Sequence, residues 1–192
     1  MVTQKSYEPK VEIVQYCWIK LKDATQTVQM CSYSTPQKYK EAWSILIQQN
    51  LDTGHIHPLN SAHVSTAFIV PKADSQVLPC WVNDYHALNS NTVLDSHPLV
   101  HVNDILADCT KGKIWSCIDM TNSFFKMHVH PDDVHLTAVT TPLSLYEWLV
   151  MPMGLQNSPL IHQQQMTAAL QEFIGKICHV YLDDIIIWSD NV

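Results

Sequence analysis

The sequence contains no arginine. All 11 of its cationic side chains are lysines, whereas ordinary amino-acid usage would give a chain of 192 residues roughly ten arginines. The 18 Asp and Glu residues outnumber the lysines, so the formal net charge is -7 at pH 7. Because such a chain carries no overall positive field, strong non-specific binding to nucleic acid is not expected from its surface.

Long apolar runs are also missing. No stretch approaches the roughly 18 apolar residues of a membrane span, and residues 1–20 contain no continuous apolar core of a signal peptide. We therefore expect an intracellular protein without a membrane partner. Hydrophobic residues make up 46% of the chain and include six tryptophans, which excludes a disordered chain and provides for a buried core.

The six cysteines form no CxxC pair and no disulfide framework, so we expect scattered free thiols. Two histidine pairs, His55/His57 and His128/His130, could each place two ligands on one face of a strand. No cysteine or carboxylate lies beside them at zinc-finger spacing, and a zinc site is therefore disfavoured.

Residue periodicity predicts alternating helices and strands in the first half of the chain. Thr35-Pro36 is typical of a helix start, and Gly54 of a helix end. A strand is predicted at 65–71, pairing with a second at 81–85. A short helix at 98–109 precedes a strand at 114–118 that ends at Asp119.

The second half continues with predicted strands at 136–141 and 146–151. A helix opens at Asn157-Ser158-Pro159 and stops at Gly175. Two apolar runs, 177–182 and 185–188, then flank Asp183-Asp184 and predict a hairpin with these two aspartates at its turn. Mixed strands and helices without repeats or linkers indicate an α+β fold.

Three aspartates are the candidate catalytic residues. If the strand ending at Asp119 lies beside the hairpin, its carboxylate meets those of Asp183 and Asp184. Such a cluster is costly without cations, and its hard oxygen ligands suit Mg²⁺ or Mn²⁺. Two ions about 4 Å apart can activate an attacking hydroxyl and stabilise a leaving pyrophosphate. The alternative is an ordinary acidic turn.

Several ordered motifs give the chain a family resemblance. The box Tyr181-Leu182-Asp183-Asp184 resembles the Tyr-x-Asp-Asp box of reverse transcriptases. The surrounding segments HVYLDDIIIWS, TPLSLYEWLVMPMGLQNSP, IDMTNSFF, VNDYHALN and LDTGHIHPLNSAHVSTAFIVPK resemble, in this order from the C-terminal end, the polymerase of gypsy-type LTR retrotransposons. The resemblance covers residues 32–192 and leaves residues 1–31 as an unassigned N-terminal segment.

The resemblance implies a right-hand polymerase, of which this sequence is expected to form the fingers and part of the palm, with helices on one face of the palm sheet and the thumb absent from this sequence. It implies an RNA-directed DNA polymerase that extends a primer 3′ end, with dNTP and an RNA or DNA template-primer as partners. Two Mg²⁺ or Mn²⁺ ions would be held by Asp119, Asp183 and Asp184. Nucleotide contacts fall on Lys72, Phe124, Met153 and Gly154, and primer-end contacts fall on Tyr181 and Leu182. Without the family, Phe124 would be interpreted as a core aromatic beside Phe125, and Lys72 as a solvated charge.

The chain departs from the family where relatives carry arginine. The resemblance leads us to expect arginine at eight positions occupied here by Cys80, His55, His57, His86, His128, Gln156, Gln164 and Gln165. A lost arginine–phosphate contact costs on the order of 1.5–3 kcal/mol. Each replacement is one C-to-T change, on either strand, in a CGN codon. Our hypothesis is a decayed element copy, testable by the codons that relatives use here.

Further departures leave alternatives open. The chain stops four residues after Trp188, so the thumb and RNase H domain that the resemblance implies are missing, and the last hairpin strand is expected to form an unpaired sheet edge. We expect a weakened or inactive polymerase copy. The alternatives are a non-catalytic remnant or binding module, or another two-metal phosphotransferase that would need Asp132-Asp133. Oligomeric state is not indicated.

Overall fold

The computed structural model describes residues 16–59, 61–74, 77–96 and 100–190. Its α-helices are α1 (Lys40–Asp52), α2 (His86–Asn91), α3 (Val102–Cys109) and α4 (Ser158–Ala169). Its strands are β1 (Ile56–Pro58), β2 (Ser65–Val70), β3 (Cys80–Asp84), β4 (Ile114–Asp119), β5 (Val139–Thr140), β6 (Leu145–Trp148), β7 (Cys178–Tyr181) and β8 (Asp184–Ser189). Three 3₁₀ helices cover Gln37–Tyr39, Ser123–Lys126 and Pro131–Thr137.

The strands form two separate sheets. The larger one has five strands in the order β1-β6-β5-β2-β3, in which β2 and β5 are parallel and the other neighbours are antiparallel. The smaller one has three antiparallel strands in the order β4-β8-β7. This mixed architecture confirms the predicted α+β class, including the pairing of β2 with β3.

The main hydrophobic core lies against the larger sheet. Trp43 of α1 is fully buried and meets Trp81 edge to face, with ring centroids 5.0 Å apart. The ring centroids of Trp81 and Trp148 lie 5.2 Å apart, and Phe125 stacks on Trp148 with a centroid distance of 5.6 Å. Aromatic pairs in these geometries add to the free energy gained by burial. The chain of aromatic rings thus joins α1, β3, β6 and the 3₁₀ helix at Ser123–Lys126.

The described part of the N-terminal segment packs into this core, although its sequence carries no motif. Cys17, Ile19 and Val28 are buried, and isolated bridges connect the segment to Val129, Thr92 and Val64. Burial, with a smaller contribution from Asp133, raises the pKa of the Cys17 thiol to about 12. All six cysteines are free thiols, as their spacing predicted. Within the described ranges, no helix combines the length and apolarity needed to cross a membrane.

Three of the local predictions need correction. The strand predicted at 136–141 begins only at Val139, because Pro131 and the His130 side chain, which accepts from the Asp132 N–H, start a 3₁₀ helix that runs to Thr137. The helix opened by Ser158 ends at Ala169 rather than near Gly175, because Ile174 already bridges to Cys178 and leads into β7. The short helix α3 begins at Val102, and residues 98 and 99 of its predicted span lie outside the described residues.

A further correction concerns the sheet edge. The final strand β8 was predicted to be an unpaired edge, but it lies in the middle of the smaller sheet, between β4 and β7. Strand β4 is an edge instead, and every one of its six residues is exposed. Strand order depends on contacts between distant segments, which hydrophobic pattern alone does not specify.

Candidate active site

The smaller sheet places Asp119 directly opposite Asp184. In the antiparallel pairing of β4 with β8, Asp119 and Asp184 are register partners at the end of the two strands. Directly opposed residues point to the same face with Cβ atoms about 4.5–5.5 Å apart. The sequence prediction that these remote residues meet is therefore confirmed by the strand register.

The hairpin turn differs by one residue from its prediction. The turn consists of Leu182 and Asp183, while Asp184 is already the first residue of β8 and pairs with Tyr181. Leu182 has a positive φ of 53°, the left-handed conformation that a two-residue hairpin loop of type II′ requires at its first position. The predicted Asp183-Asp184 turn is thus shifted, because the register of the strands sets which residues close the loop.

A buried glutamine on α4 fixes this turn. The side-chain oxygen of Gln163 accepts a hydrogen bond from the Leu182 N–H at 2.8 Å, and its amide nitrogen donates to the Val180 carbonyl at 2.8 Å. Gln163 is only 2% exposed, so both bonds are shielded from water. Sequence reasoning missed this residue, and its one signal was a polar side chain within the buried stretch of a helix.

The Asp183 carboxylate accepts a hydrogen bond from a residue outside the hairpin. Its Oδ1 accepts a hydrogen bond of 2.6 Å from the hydroxyl of Ser123, which is buried at the start of a 3₁₀ helix. The backbone carbonyl of Asp183 accepts from the Met120 N–H at 2.9 Å. Asp183 is therefore held by β4 and by the segment that follows it.

Among the described residues, the carboxylates of the smaller sheet form no ion pair with a cationic side chain. No ion pair in the described part of the chain involves Asp119, Asp183 or Asp184. The thiol of Cys117, on the same face as Asp119, lies 3.9 Å from Asp184 Oδ1. Like charges directly opposed across two strands destabilise a sheet, so the pair is one that a cation would stabilise.

By donor chemistry the three carboxylates fit a hard divalent cation, but their arrangement does not assemble a complete centre. Among the described residues, no group of three or more His, Cys, Asp or Glu side chains is placed so that it could hold a metal ion. Asp119 and Asp184 share a sheet face, whereas Asp183 lies in the turn and bonds to Ser123. Neither histidine pair, 55/57 or 128/130, belongs to such a group among the described residues.

His162 of α4 lies next to the hairpin turn formed by Leu182 and Asp183. It is 3% exposed, and its ring lies 5.1 Å from that of Phe124. Burial lowers the pKa of His162, although the Asp183 charge and a hydrogen bond to the Leu182 backbone oppose that shift. The imidazole is therefore neutral at pH 7 and adds no positive charge to the site.

A cleft of about 650 Å³ lies between α1, the β2–β3 connection and the 3₁₀ helix at Ser123–Lys126. Two of the residues that the resemblance assigned to the nucleotide, Lys72 and Met153, line it, together with Cys80. Asn122 also lines the cleft and follows Asp119 by three residues in the chain, although none of the three carboxylates is among its described lining residues. The structure thus gathers part of the predicted nucleotide set into one cavity.

Gly154 allows the loop after β6 to approach β3 closely. Its φ is +104°, and a Cβ added there would lie 2.9 Å from the Asn83 carbonyl oxygen and 3.4 Å from the Tyr85 ring. The Gly154 carbonyl accepts a hydrogen bond from Asn89 of α2 at 2.8 Å. No side chain fits this position, which explains why the loop carrying Met153 has a glycine here.

The two phenylalanines of the segment after β4 face different surroundings. Phe124 packs against a small buried cluster of Cys17, Met127 and Met151, whereas Phe125 lines the cleft. The assignment of Phe124 to the nucleotide remains a prediction. At the hairpin, Tyr181 and Leu182 are half-buried, and both flank the carboxylates.

The pair Asp132-Asp133, which the phosphotransferase alternative would need, contributes to the fold rather than to this site. Both residues lie in the 3₁₀ helix Pro131–Thr137, where Asp133 accepts a hydrogen bond from the Ile19 N–H at 2.8 Å. Asp132 has an exposed side chain. The pair was predicted to be a solvated turn, and its role in fixing the N-terminal segment was not foreseen.

Comparison with known proteins gives consistent matches. Residues 70–192 match the family model described as reverse transcriptase (RNA-dependent DNA polymerase). The chain is 35% identical over 163 residues to the retrovirus-related Pol polyprotein from transposon opus of Drosophila melanogaster, covering 83% of this chain and 16% of that protein. It is 33% identical over 175 residues to the enzymatic polyprotein of figwort mosaic virus, covering 90% of this chain and 26% of that protein.

Solved structures agree with these sequence matches. The prototype foamy virus protease-reverse transcriptase superposes with a TM-score of 0.79 at 27% identity, covering 90% of this chain and 23% of that one. The foamy viral protease-reverse transcriptase in complex with an RNA/DNA hybrid gives a TM-score of 0.79 at 26% identity, covering 91% and 23% of the two chains. The chain therefore spans about a quarter or less of the length of these relatives.

Proposed function

The chain belongs to the reverse transcriptase family, and from this premise we propose that it is the part of an RNA-directed DNA polymerase that carries the carboxylates for adding deoxynucleotides to a primer 3′ end. The observation that supports the proposal most is the register of the smaller sheet, which pairs Asp119 with Asp184 beside Asp183. None of the ion pairs found among the described residues involves these three aspartates.

Asp119, Asp183 and Asp184 are the residues that would hold two Mg²⁺ or Mn²⁺ ions in this proposal. When bound, the ions supply activation of the primer 3′ hydroxyl and neutralisation of the leaving pyrophosphate. The chain's own part is to present the carboxylates rigidly. Gln163 does this by fixing the β7 side of the turn through its hydrogen bonds to the Val180 carbonyl and the Leu182 N–H.

The incoming nucleotide is proposed to occupy the cleft of about 650 Å³. Lys72 offers its ammonium group to the triphosphate, and Met153 presents an exposed apolar surface from the loop that Gly154 holds against β3. The proposed nucleotide contacts are Lys72, Phe124, Met153 and Gly154, and the proposed primer-end contacts are Tyr181 and Leu182. The template-primer is a nucleic-acid duplex, as in the foamy viral protein solved with an RNA/DNA hybrid.

One observation favours a second candidate, a non-catalytic remnant of such a polymerase. Cys80 lines the cleft at the position where the family resemblance predicts a second cation for the triphosphate. A thiol offers no charge-assisted contact to phosphate, and the neutral His162 adds none near the carboxylates. A cleft with Lys72 as its single cationic lining residue among those described binds a triphosphate more weakly than one with two cations.

Primer extension distinguishes the two candidates. The 192-residue chain is incubated with an oligo(dT)-primed poly(rA) template, dTTP and Mg²⁺ or Mn²⁺, and compared with the double variant Asp183→Asn/Asp184→Asn. We expect slow extension that the double variant loses. Asp132→Asn removes one exposed charge elsewhere and should leave the rate unchanged. Equal signals from the chain and its double variant would reject catalysis and leave the remnant.

A further inference from the structure

We infer that Ser123 is a positioning residue that controls how tightly the carboxylate cluster binds a divalent cation. The inference rests on the proposed function, since it concerns the same three aspartates. In the structure the Ser123 hydroxyl donates a hydrogen bond to Asp183 Oδ1. Among the described residues, no three acidic side chains are placed so that they could bind one cation together. The Ser123–Asp183 hydrogen bond is the physical reason for this incomplete centre.

The hydroxyl donor is held firmly in place. Ser123 is 6% exposed and follows Asn122, whose φ of 55° turns the chain sharply after β4. The Phe125 N–H donates to the Asn122 carbonyl at 3.1 Å, and the Met127 N–H to the Phe124 carbonyl at 3.2 Å, so the 3₁₀ helix carrying Ser123 is closed at both ends. A hydroxyl with a fixed backbone and little access to water is an effective anchor for a carboxylate.

The backbone on the acceptor side is equally fixed. The Met120 N–H donates to the Asp183 carbonyl, and the preceding Leu182 N–H donates to Gln163. The remaining freedom of Asp183 is rotation of its own side chain. Ser123 therefore determines the direction of the carboxylate, and a cation shared with Asp119 and Asp184 must first break the 2.6 Å bond.

Divalent-cation binding measures this effect without requiring catalysis. Mn²⁺ is titrated into the 192-residue chain and monitored by calorimetry and by loss of the free-ion electron paramagnetic resonance signal. We expect Ser123→Ala to bind Mn²⁺ about tenfold more tightly than the unchanged chain, which corresponds to ~1.4 kcal/mol. Ser123→Cys keeps the shape but lacks a strong donor and should behave like the alanine variant. Ser123→Thr keeps the hydroxyl and should stay close to the unchanged chain.

Two controls separate a positioning role from a structural one. Ser116→Ala makes the same change on β4, on the face opposite Asp119, and should leave Mn²⁺ affinity unchanged. In an Asp183→Asn background, Ser123→Ala should give no gain, because the carboxylate that the hydroxyl restrains is gone. Thermal unfolding of each variant confirms that the compared chains are folded.

The outcomes distinguish this inference from the proposed function. If the chain binds Mn²⁺ more tightly than its Asp119→Asn/Asp184→Asn variant but Ser123→Ala gives equal or weaker binding, the metal centre stands and the role of Ser123 is overturned. If neither the chain nor Ser123→Ala binds better than Asp119→Asn/Asp184→Asn, the metal centre itself is rejected.

Discussion

Strands of the two sheets differ in how deeply their side chains are buried. In the larger sheet the first half of β2 is buried on both faces, and tryptophans from α1, β3 and β6 pack together beneath it. In the smaller sheet all six residues of β4 are exposed, including Trp115 at 56% and Ile118 at 48%. Burial in the larger sheet stabilises the fold, whereas Asp119 and Asp184 of the smaller sheet remain exposed to solvent.

The carboxylates follow the same contrast. Glu147 of β6 is 2% exposed, and its Oε1 has no hydrogen-bond partner among the described residues. Burial raises the pKa of Glu147, and the nearby His57 and His135 only partly oppose that shift. Asp119 and Asp184 are exposed instead. A charge inside the larger sheet is a cost to stability, while the charges on the smaller sheet form a candidate site.

The largest effect should come from replacing Trp43, which α1 packs against the larger sheet, and a comparison is provided by Trp115 of β4 in the smaller sheet. Trp43→Ala removes a side chain with 0% exposure from the aromatic core and should lower the free energy of unfolding by about 3–5 kcal/mol. Trp115→Ala, on exposed β4, should cost less than about 1.5 kcal/mol, because it loses one solvent-accessible hydrogen bond to the Cys109 carbonyl and little burial. Urea denaturation measures both. Equal costs would remove the distinction between the sheets.

An intermediate effect is expected at His57, one of the positions where the family resemblance predicts arginine. His57 Nε2 lies 3.3 Å from one oxygen of the buried Glu147, leaving the other oxygen unpaired. His57→Arg can donate to both oxygens and should stabilise the protein by about 2 kcal/mol. His86→Arg makes the same change beside Asp84, but with a 97% exposed side chain, and should gain less than about 0.5 kcal/mol. Thermal unfolding compares the two, and equal gains would contradict the role of burial.

The smallest effect concerns pH. A carboxyl whose folded pKa is raised contributes stability that is fully present below its ordinary pKa of 4.5 and is lost as pH rises through the folded value. Glu147→Gln cannot lose a proton, so its stability relative to the unchanged chain should increase as pH rises from 4 towards neutrality. Glu41→Gln on exposed α1 should show no such trend. A pH-independent difference for Glu147→Gln would show that the buried carboxyl does not titrate as described.

Some residues at the positions where the resemblance predicts arginine lie beside carboxylates. Three of the eight residues that stand where the resemblance predicts arginine contact a carboxylate: His57 with Glu147, His86 with Asp84 at 2.6 Å, and Gln164 with Asp95 at 3.2 Å. Arginine at these positions would form the charge-assisted pairs that carboxylates favour. The hypothesis of a decayed copy is consistent with these contacts, and the codons of relatives remain its test.

Much of the fold was predictable because hydrophobic period and helix signals are local. The pairing of β2 with β3, the end of β4 at Asp119 and the helix containing Trp43 all followed from such patterns. The short helix α2 and the burial of Cys17, Ile19 and Val28 were not predicted, because neither segment carries a distinctive pattern. In the site, the meeting of Asp119 with Asp184 was predicted, but Gln163 and the Ser123 hydroxyl were not, since each acts through one side-chain contact with a distant segment.

The order of residues along the chain was enough to assign the family and the α+β class and to predict that Asp119 meets the final hairpin, because motifs and hydrophobic periodicity are local properties of a sequence. Only the tertiary structure decided that β8 lies between β4 and β7 and that the turn consists of Leu182 and Asp183. It also decided that the hydroxyl of Ser123, from another segment, donates a hydrogen bond to the Asp183 carboxylate. Strand order, register and side-chain direction depend on the packing of segments far apart in sequence, and no local pattern specifies them.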